Sequence, residues 1–118
     1  MGRIRARLQR WAVRQAVPED VLIDLQLAVG EAVANGVEHA YREGEEGTVD
    51  VDLALTSRRN RERVLHVRVA DHGRWRPAPR AKGHRGRGLA MIHELAEHVV
   101  VSATSTGTQV CFEIPVRA

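Results

Sequence analysis

The segment from Leu22 to Tyr41 constrains the fold of this chain most strongly, because its apolar residues recur at helical spacing. One stripe that can be buried is formed by Leu22, Leu25, Val29, Ala32, Val33 and Val37. Glu31, Asn35 and His39 follow one another at intervals of four residues, and side chains four apart lie on the same face of a helix. The sequence therefore predicts a long helix that presents a carboxylate, a carboxamide and an imidazole in one line.

Four segments show the patterns of strands. Thr48 to Leu55 alternates between apolar and polar residues, and Val64 to Ala70 follows as its expected antiparallel partner. A short helix from Gly88 to about Glu97 precedes two last strands, Val99–Thr104 and Gln109–Pro115. The order helix, helix, strand, strand, loop, helix, strand, strand predicts an α+β two-layer sandwich. Its sheet is expected to be mixed but mostly antiparallel, with helices covering one face.

Residues 3–16 have the pattern of an amphipathic helix, with an apolar stripe that contains Leu8 and Trp11 and ends at Gln15. A surface helix packed on the domain is the preferred interpretation, ahead of a helix that binds a membrane or nucleic acid. Pro18, followed by two acidic residues, marks the expected start of the second helix near its first position.

The length of 118 residues corresponds to one domain, residues 1–118. No apolar run approaches a membrane span, and no apolar signal core follows the basic start, so we expect neither membrane insertion nor secretion. The single Cys111 fits a reducing cytoplasm. The net charge of +3 comes almost entirely from arginine, and aromatic residues make up only 3% of the chain. We therefore expect no direct contact with nucleic acid.

Asp71, His72 and Gly73 end a predicted strand and open a long basic loop rich in glycine and proline. A carboxylate in this position can accept a hydrogen bond from an exocyclic amine such as adenine N6, and the glycine lets a planar ligand approach the backbone. Taken alone, Asp-x-Gly is more often simple turn chemistry. Loops of this length inside a compact domain are usually functional.

Gly86, Arg87 and Gly88 end that loop and open a helix, whose N-terminal amides can bind phosphate. The Gly-Lys-Ser/Thr ending of a P-loop is absent, and a solvated basic loop is the competing interpretation. Gly107 and Thr108 lie in the last hairpin, where a plain turn competes with a threonine hydroxyl placed near the base-binding carboxylate. For Glu31 and Asn35 the competing interpretation is that they simply face solvent, as polar residues on a helix often do.

Together these motifs form an ordered set that resembles the GHKL ATPase superfamily, which includes gyrase, the heat-shock chaperone, histidine kinases and mismatch-repair proteins. The run GEAVANGVEHAY is similar to the N-box of the small serine-protein-kinase branch of bacterial anti-sigma factors. ADHGRW and GRGLAMI look like the two glycine boxes of that branch. The resemblance covers about residues 3–116 and implies the GHKL fold, with ATP and Mg²⁺ as cofactors.

The resemblance assigns a role to each matching residue. Glu31 would be the general base that activates a protein serine or threonine hydroxyl, and Asn35 would ligate Mg²⁺. Asp71 would read adenine. The other residues expected to contact the nucleotide are His39, Gly73, Arg85, Gly86, Arg87, Gly88, Leu89 and Thr108. This set of residues suits phosphoryl transfer, which depends mainly on the positioning of the reactants and on the stabilisation of charge.

The implied partners are a STAS-domain antagonist, which would be phosphorylated, and a sigma factor, which would be sequestered in the alternative complex. Two departures from the family pattern stand out. Trp75 occupies the second glycine position of the first box. This variant resembles kinase-like domains that are fused to phosphatase or sensor modules, and the resemblance suggests that the chain is an excised domain. The family's first strand, which helps to form a homodimer, is also missing, so the sequence leaves dimerisation open.

Three other functions compete with this interpretation. A non-catalytic binding module of the same fold would need neither Glu31 nor Asn35. A histidine-kinase catalytic domain is disfavoured by the short lid and by the absence of a linked phosphoacceptor helix. A DNA-binding protein is the most distant alternative, because no reading helix appears.

Overall fold

The structure, a computed structural model, describes residues 2–41, 49–59, 61–71, 90–104 and 107–116. Two helices come first, α1 (Gly2–Arg14) and α2 (Glu19–Tyr41), followed by the hairpin strands β1 (Val49–Ser57) and β2 (Arg63–Asp71). Residues 90–95 are helical, and β3 (Glu97–Thr104) and β4 (Gly107–Val116) end the domain. The predicted order of elements is confirmed.

The four described strands form one sheet in the order β1-β2-β4-β3. All three pairings are antiparallel. The two central strands, β2 and β4, are neighbours in the sheet although they are far apart in the sequence. The predicted α+β class with helices on one face is confirmed, because α2 packs against β1, β2 and β4.

The core lies between α2 and one face of the sheet. Leu25, Val29 and Val33 of α2 are buried against a sheet face that includes Val67 and Phe112. The alternation expected in β1 is present, since Val49, Val51, Leu53 and Leu55 are half-buried while Asp50 and Asp52 are exposed. Burial of these side chains supplies the main driving force for the two-layer arrangement.

The turn between α1 and α2 is a Schellman motif. The amide of Val17 donates to the carbonyl oxygen of Ala12 at 2.9 Å, and the amide of Ala16 donates to that of Val13 at 3.2 Å. Ala16 has a φ of 55°, a left-handed conformation that glycine adopts more readily. Gln15, which the sequence placed at the end of the apolar stripe of this helix, lies in the turn after α1 and is exposed.

Pro18 lies immediately before the first helical residue of α2, whereas the sequence predicted it near the first helical position. Its carbonyl oxygen accepts the first helical hydrogen bond, from the amide of Leu22 at 3.0 Å, which makes it the N-cap residue and Glu19 the first helical residue. Glu19 and Asp20 in the first turn favour the helix through its dipole.

Candidate nucleotide-binding site

Asp71 is the last residue of β2 and the only charged side chain among the buried residues that the structure describes, with 6% of its surface exposed. It lies on the same face of β2 as Val67 and Val69, since strand residues two apart share a face. That face is the one covered by α2. The structure thus places a carboxylate inside the fold, at the end of a central strand.

Thr108 lies on the neighbouring central strand at the same end of the sheet. The β2–β4 register ends with Ala70 opposite Gln109, and one further step puts Thr108 opposite Asp71. Directly opposite residues of an antiparallel pair point to the same face. The structure therefore brings together two of the predicted site residues from distant parts of the sequence.

The hydroxyl of Thr108 has no hydrogen-bond partner within the described part of the chain, although its oxygen is buried. A buried hydroxyl without a partner costs about 1–3 kcal/mol. Gly107, just before it, is buried and has a φ of 152°, a conformation that favours glycine. This end of the sheet therefore offers a polar atom that a ligand can satisfy.

Arg63 fixes the direction in which α2 crosses the sheet. Its guanidinium donates to the carbonyl oxygens of Gln15 at 2.7 Å and Ala16 at 2.8 Å, just before α2 begins. Arg63 is the first residue of β2, and Asp71 is the last. The start of α2 is therefore held at the end of β2 that lies farthest from Asp71.

From that start, α2 runs back toward the site. Nine residues of β2 span about 27 Å. Glu31 lies about 18 Å along the helix axis from Glu19, and Asn35 lies about 24 Å along it. Glu31 is half-buried, between the buried positions Ala28 and Ala32. The helix thus carries both residues to the half of the sheet that contains Asp71.

Several predicted site residues lie outside the described part. The backbone at Asn35 and His39 is helical, as expected, but their side chains are not described. Gly73, Arg85, Gly86, Arg87, Gly88 and Leu89 fall in the undescribed residues 72–89. The roles proposed for all eight remain predictions.

Arg63 is a residue that the sequence analysis missed. Both of its acceptors are main-chain carbonyls, which carry no signal in the sequence, and it follows a run of charged hairpin residues that resembles a solvated turn. Its effect on the site is indirect, through the placement of α2.

The hydrogen-bonding groups of Asp71 and Thr108 are suited to the base of a nucleotide. A carboxylate and a hydroxyl side by side match the exocyclic amine and ring nitrogen of a purine. Among the described side chains, no three histidine, cysteine or acidic residues are close enough to hold a metal ion by themselves. None of the described helices has both the length and the apolar character that a membrane crossing requires.

Comparison with known proteins decides the family. The model of the histidine kinase-like ATPase domain matches residues 1–114. The chain belongs to this family. The resemblance to the GHKL superfamily that the motifs indicated is confirmed, and so is the two-layer fold that it implies.

Curated relatives of this histidine kinase-like ATPase domain are serine-protein kinases. The chain is 38% identical over 73 residues to the serine-protein kinase RsbW of Bacillus subtilis, a stretch that covers 62% of this chain and 42% of that protein. It is 35% identical over 69 residues to RsbW of Listeria monocytogenes, covering 58% of this chain and 41% of the relative. These relatives confirm the resemblance to the serine-protein-kinase branch. The matched stretch spans less than half of their length.

A solved structure shows the same fold. The histidine kinase domain of the blue-light activated histidine kinase from Erythrobacter litoralis EL346 superposes with a TM-score of 0.63 at 24% identity. The match covers 98% of this chain and 62% of that one. The shared fold therefore extends beyond the stretch that the curated relatives match.

Proposed function

We propose that this chain is the ATP-binding domain of an anti-sigma factor serine/threonine-protein kinase. It would phosphorylate a STAS-domain antagonist and, in an alternative complex, sequester a sigma factor. The observation that carries the proposal is the buried Asp71 beside the unsatisfied hydroxyl of Thr108, at the end of the sheet toward which α2 carries Glu31. The two curated relatives described above, both named serine-protein kinases, support the acceptor class.

Asp71 and Thr108 would hold the base. A buried carboxylate is an acceptor only, so it selects a ligand that presents an N–H group, and the exocyclic amine of adenine is such a donor. The Thr108 hydroxyl can both donate and accept, and it would complete its hydrogen bonding on the same ring. Water is largely excluded at this position, which strengthens both interactions.

Glu31 would accept the proton of the attacking hydroxyl. Its half-buried position on α2 leaves the carboxylate accessible to a protein side chain. Asn35 follows one turn later, and its amide oxygen is a suitable ligand for Mg²⁺. When bound, Mg-ATP supplies the phosphoryl group and the metal charge that offsets its negative oxygens.

A phosphorylation assay tests the catalytic part of the proposal. STAS-domain proteins are purified and incubated with the chain and radiolabelled ATP. We expect acid-stable label on a serine or threonine, and we expect the Glu31→Gln variant to transfer label about 10²–10⁴-fold more slowly with little change in ATP affinity. Glu19→Gln, on the exposed first turn of the same helix, is the matched control and should keep the native rate.

Two results would contradict the proposal in different ways. Equal labelling by the Glu31→Gln variant would remove the base assignment. Tight Mg-ATP binding with no transfer to any STAS-domain protein would favour the non-catalytic binding module.

A further inference from the structure

The outer surface of α2 carries two large apolar side chains next to each other. Ile23 is 50% exposed and Leu27 is 47% exposed. They are four residues apart, so they lie one above the other on the same face of the helix. Single exposed apolar residues are common, whereas adjacent ones on the outer face of a helix are typical of a contact surface. We call this pair the α2 ridge.

Glu31 continues the line of the α2 ridge, because it follows Leu27 by four residues. Leu27 lies about 6 Å from Glu31 along the helix axis, and Ile23 lies about 12 Å from it. Gly30 and Ala34, which are near Glu31 on the outer side of α2, are small and leave its carboxylate unscreened. The α2 ridge therefore ends one helical turn from the proposed general base.

The charge along α2 is entirely negative. In a chain with 18 basic residues and a net charge of +3, this helix contains no lysine or arginine. Its charged residues are Glu19, Asp20, Asp24, Glu31 and Glu38. Asp20 precedes Ile23 by three residues, and Asp24 precedes Leu27 by three, so each apolar side chain has a carboxylate beside it.

The carboxylates beside the α2 ridge select the kind of partner. None of the ion pairs between described residues involves Asp20 or Asp24. A partner that covers Ile23 and Leu27 brings its own groups close to these two carboxylates, and basic groups there would be attracted to them. The complementary surface is therefore an apolar patch bordered by lysine or arginine.

We propose that the α2 ridge is the docking surface for the protein substrate of the kinase, which meets it with an apolar patch bordered by basic side chains. The assignment rests on the proposed function, because Glu31 fixes where the acceptor hydroxyl must lie. A substrate held on Ile23 and Leu27 keeps its hydroxyl beside Glu31, so the attack takes place within one complex. The substrate is then recognised by its folded surface, about 6–12 Å from the reacting group, as well as by the residues around the hydroxyl.

A second copy of this chain fits the α2 ridge less well. A symmetric pair would place the acidic residues of one copy against those of the other, and like charges at close range repel. An asymmetric pair would use two different surfaces and would continue into a ring or a filament.

Binding and kinetics, measured on the same variants, separate the docking surface from the kinase function. The probe is a dye-labelled STAS-domain protein from the phosphorylation assay. Its Kd for the chain is measured by fluorescence anisotropy with Mg-ADP, so that no phosphoryl transfer can occur, and its KM and kcat are measured with Mg-ATP. Leu27→Ala removes the exposed side chain without lowering helix propensity. Val100→Ala is the matched control, since Val100 is 57% exposed on the face of the sheet that α2 does not cover.

We expect Leu27→Ala to raise both the Kd and the KM of the STAS-domain protein about tenfold, with kcat and the Kd for Mg-ATP unchanged. Val100→Ala should leave all four quantities at their native values. Asp24→Asn should raise the Kd of the STAS-domain protein several-fold at low ionic strength and less at physiological ionic strength. Asp50→Asn makes the same charge change on the exposed face of the sheet and should have no effect on that Kd.

The possible failures of the two proposals differ. Labelling of the STAS-domain protein with native Kd and KM in Leu27→Ala would overturn the docking surface and leave the kinase function intact. A fall in kcat alone would mean that Leu27 only positions Glu31, which also excludes docking. Binding that depends on Leu27 without any transfer would support the docking surface and remove the kinase function, and absence of both binding and transfer would remove both. Self-association of the chain that Leu27→Ala abolishes would assign the α2 ridge to a second copy.

Discussion

The two ends of β2 differ in how their polar groups are satisfied. At one end, the guanidinium of Arg63 binds two carbonyl oxygens of the α1–α2 turn. At the other end, Thr108 next to Asp71 keeps a buried hydroxyl without a partner among the described residues. The first arrangement stabilises the domain, and the second leaves hydrogen bonding available for a ligand. Mutations at the two ends should therefore separate stability from binding.

The largest effect on binding is expected from Asp71→Asn. The amide keeps the size of the side chain but replaces a charged acceptor, and losing a hydrogen bond to a charged group costs about 1.5–3 kcal/mol. The Kd for Mg-ATP, measured by calorimetry, should rise about 10–100-fold.

Asp50→Asn is the control for that change. Asp50 lies opposite Ala70 in the β1–β2 ladder, one position from Asp71 but on the exposed face of the sheet. Its substitution should leave ATP affinity unchanged. An equal loss from both variants would show that the carboxylate acts only through the general charge of the domain.

Arg63→Ala should produce the opposite pattern. It removes two hydrogen bonds from a charged donor that is partly exposed, so we expect the free energy of unfolding to fall by about 1.5 kcal/mol. The Kd for Mg-ATP should change much less than in Asp71→Asn. Urea unfolding and calorimetry on the same preparations would measure both quantities.

Two further arginine variants sharpen the interpretation of that result. Arg59→Ala, in the exposed β1–β2 turn, should cost almost nothing. Arg63→Lys should recover only part of the loss, because a single ammonium group does not reproduce the planar fork of guanidinium. Full recovery by lysine would mean that charge, and not the paired geometry, holds the turn.

Thr108→Val should raise stability and weaken binding in the same protein. The substitution replaces a buried hydroxyl without a partner by a methyl group of similar shape, which should stabilise the ligand-free domain by about 1 kcal/mol. The Kd for Mg-ATP should rise several-fold as a hydrogen bond to the nucleotide is lost. Thermal unfolding with and without Mg-ATP would show both effects, and a destabilised variant would contradict the assignment.

The smallest effect is expected from Ala16→Gly. Ala16 adopts a left-handed φ at the Schellman turn beside Arg63, where glycine avoids a steric penalty. We expect stability to rise by about 0.5–1 kcal/mol with no change in ATP affinity. Ala34→Gly, at an exposed interior position of α2, is the matched control and should lower stability by a similar amount.

Local patterns in the sequence were sufficient to predict the helices and strands. The alternation around Val51 and the helical spacing around Val29 each reflect one-sided burial, which is a property of neighbouring residues. The pairing of β2 with β4 is different, because it joins segments far apart in the chain. The sequence alone left a joint role of Asp71 and Thr108 open against a plain turn, and the family resemblance favoured it. Nothing in the sequence indicated the contact of Arg63 with the α1–α2 turn.

The position of β4 also determines when the site is made during synthesis. β4 is the last described strand in the sequence but a central strand in the sheet. At about 5–20 residues per second, Thr108 is synthesised roughly 2–7 seconds after Asp71. During that interval the nascent chain has one edge of β2 without its neighbour, and it lacks half of the pair that we propose binds the base. On this proposal, a nucleotide would stabilise the domain only after the last hairpin has joined the sheet.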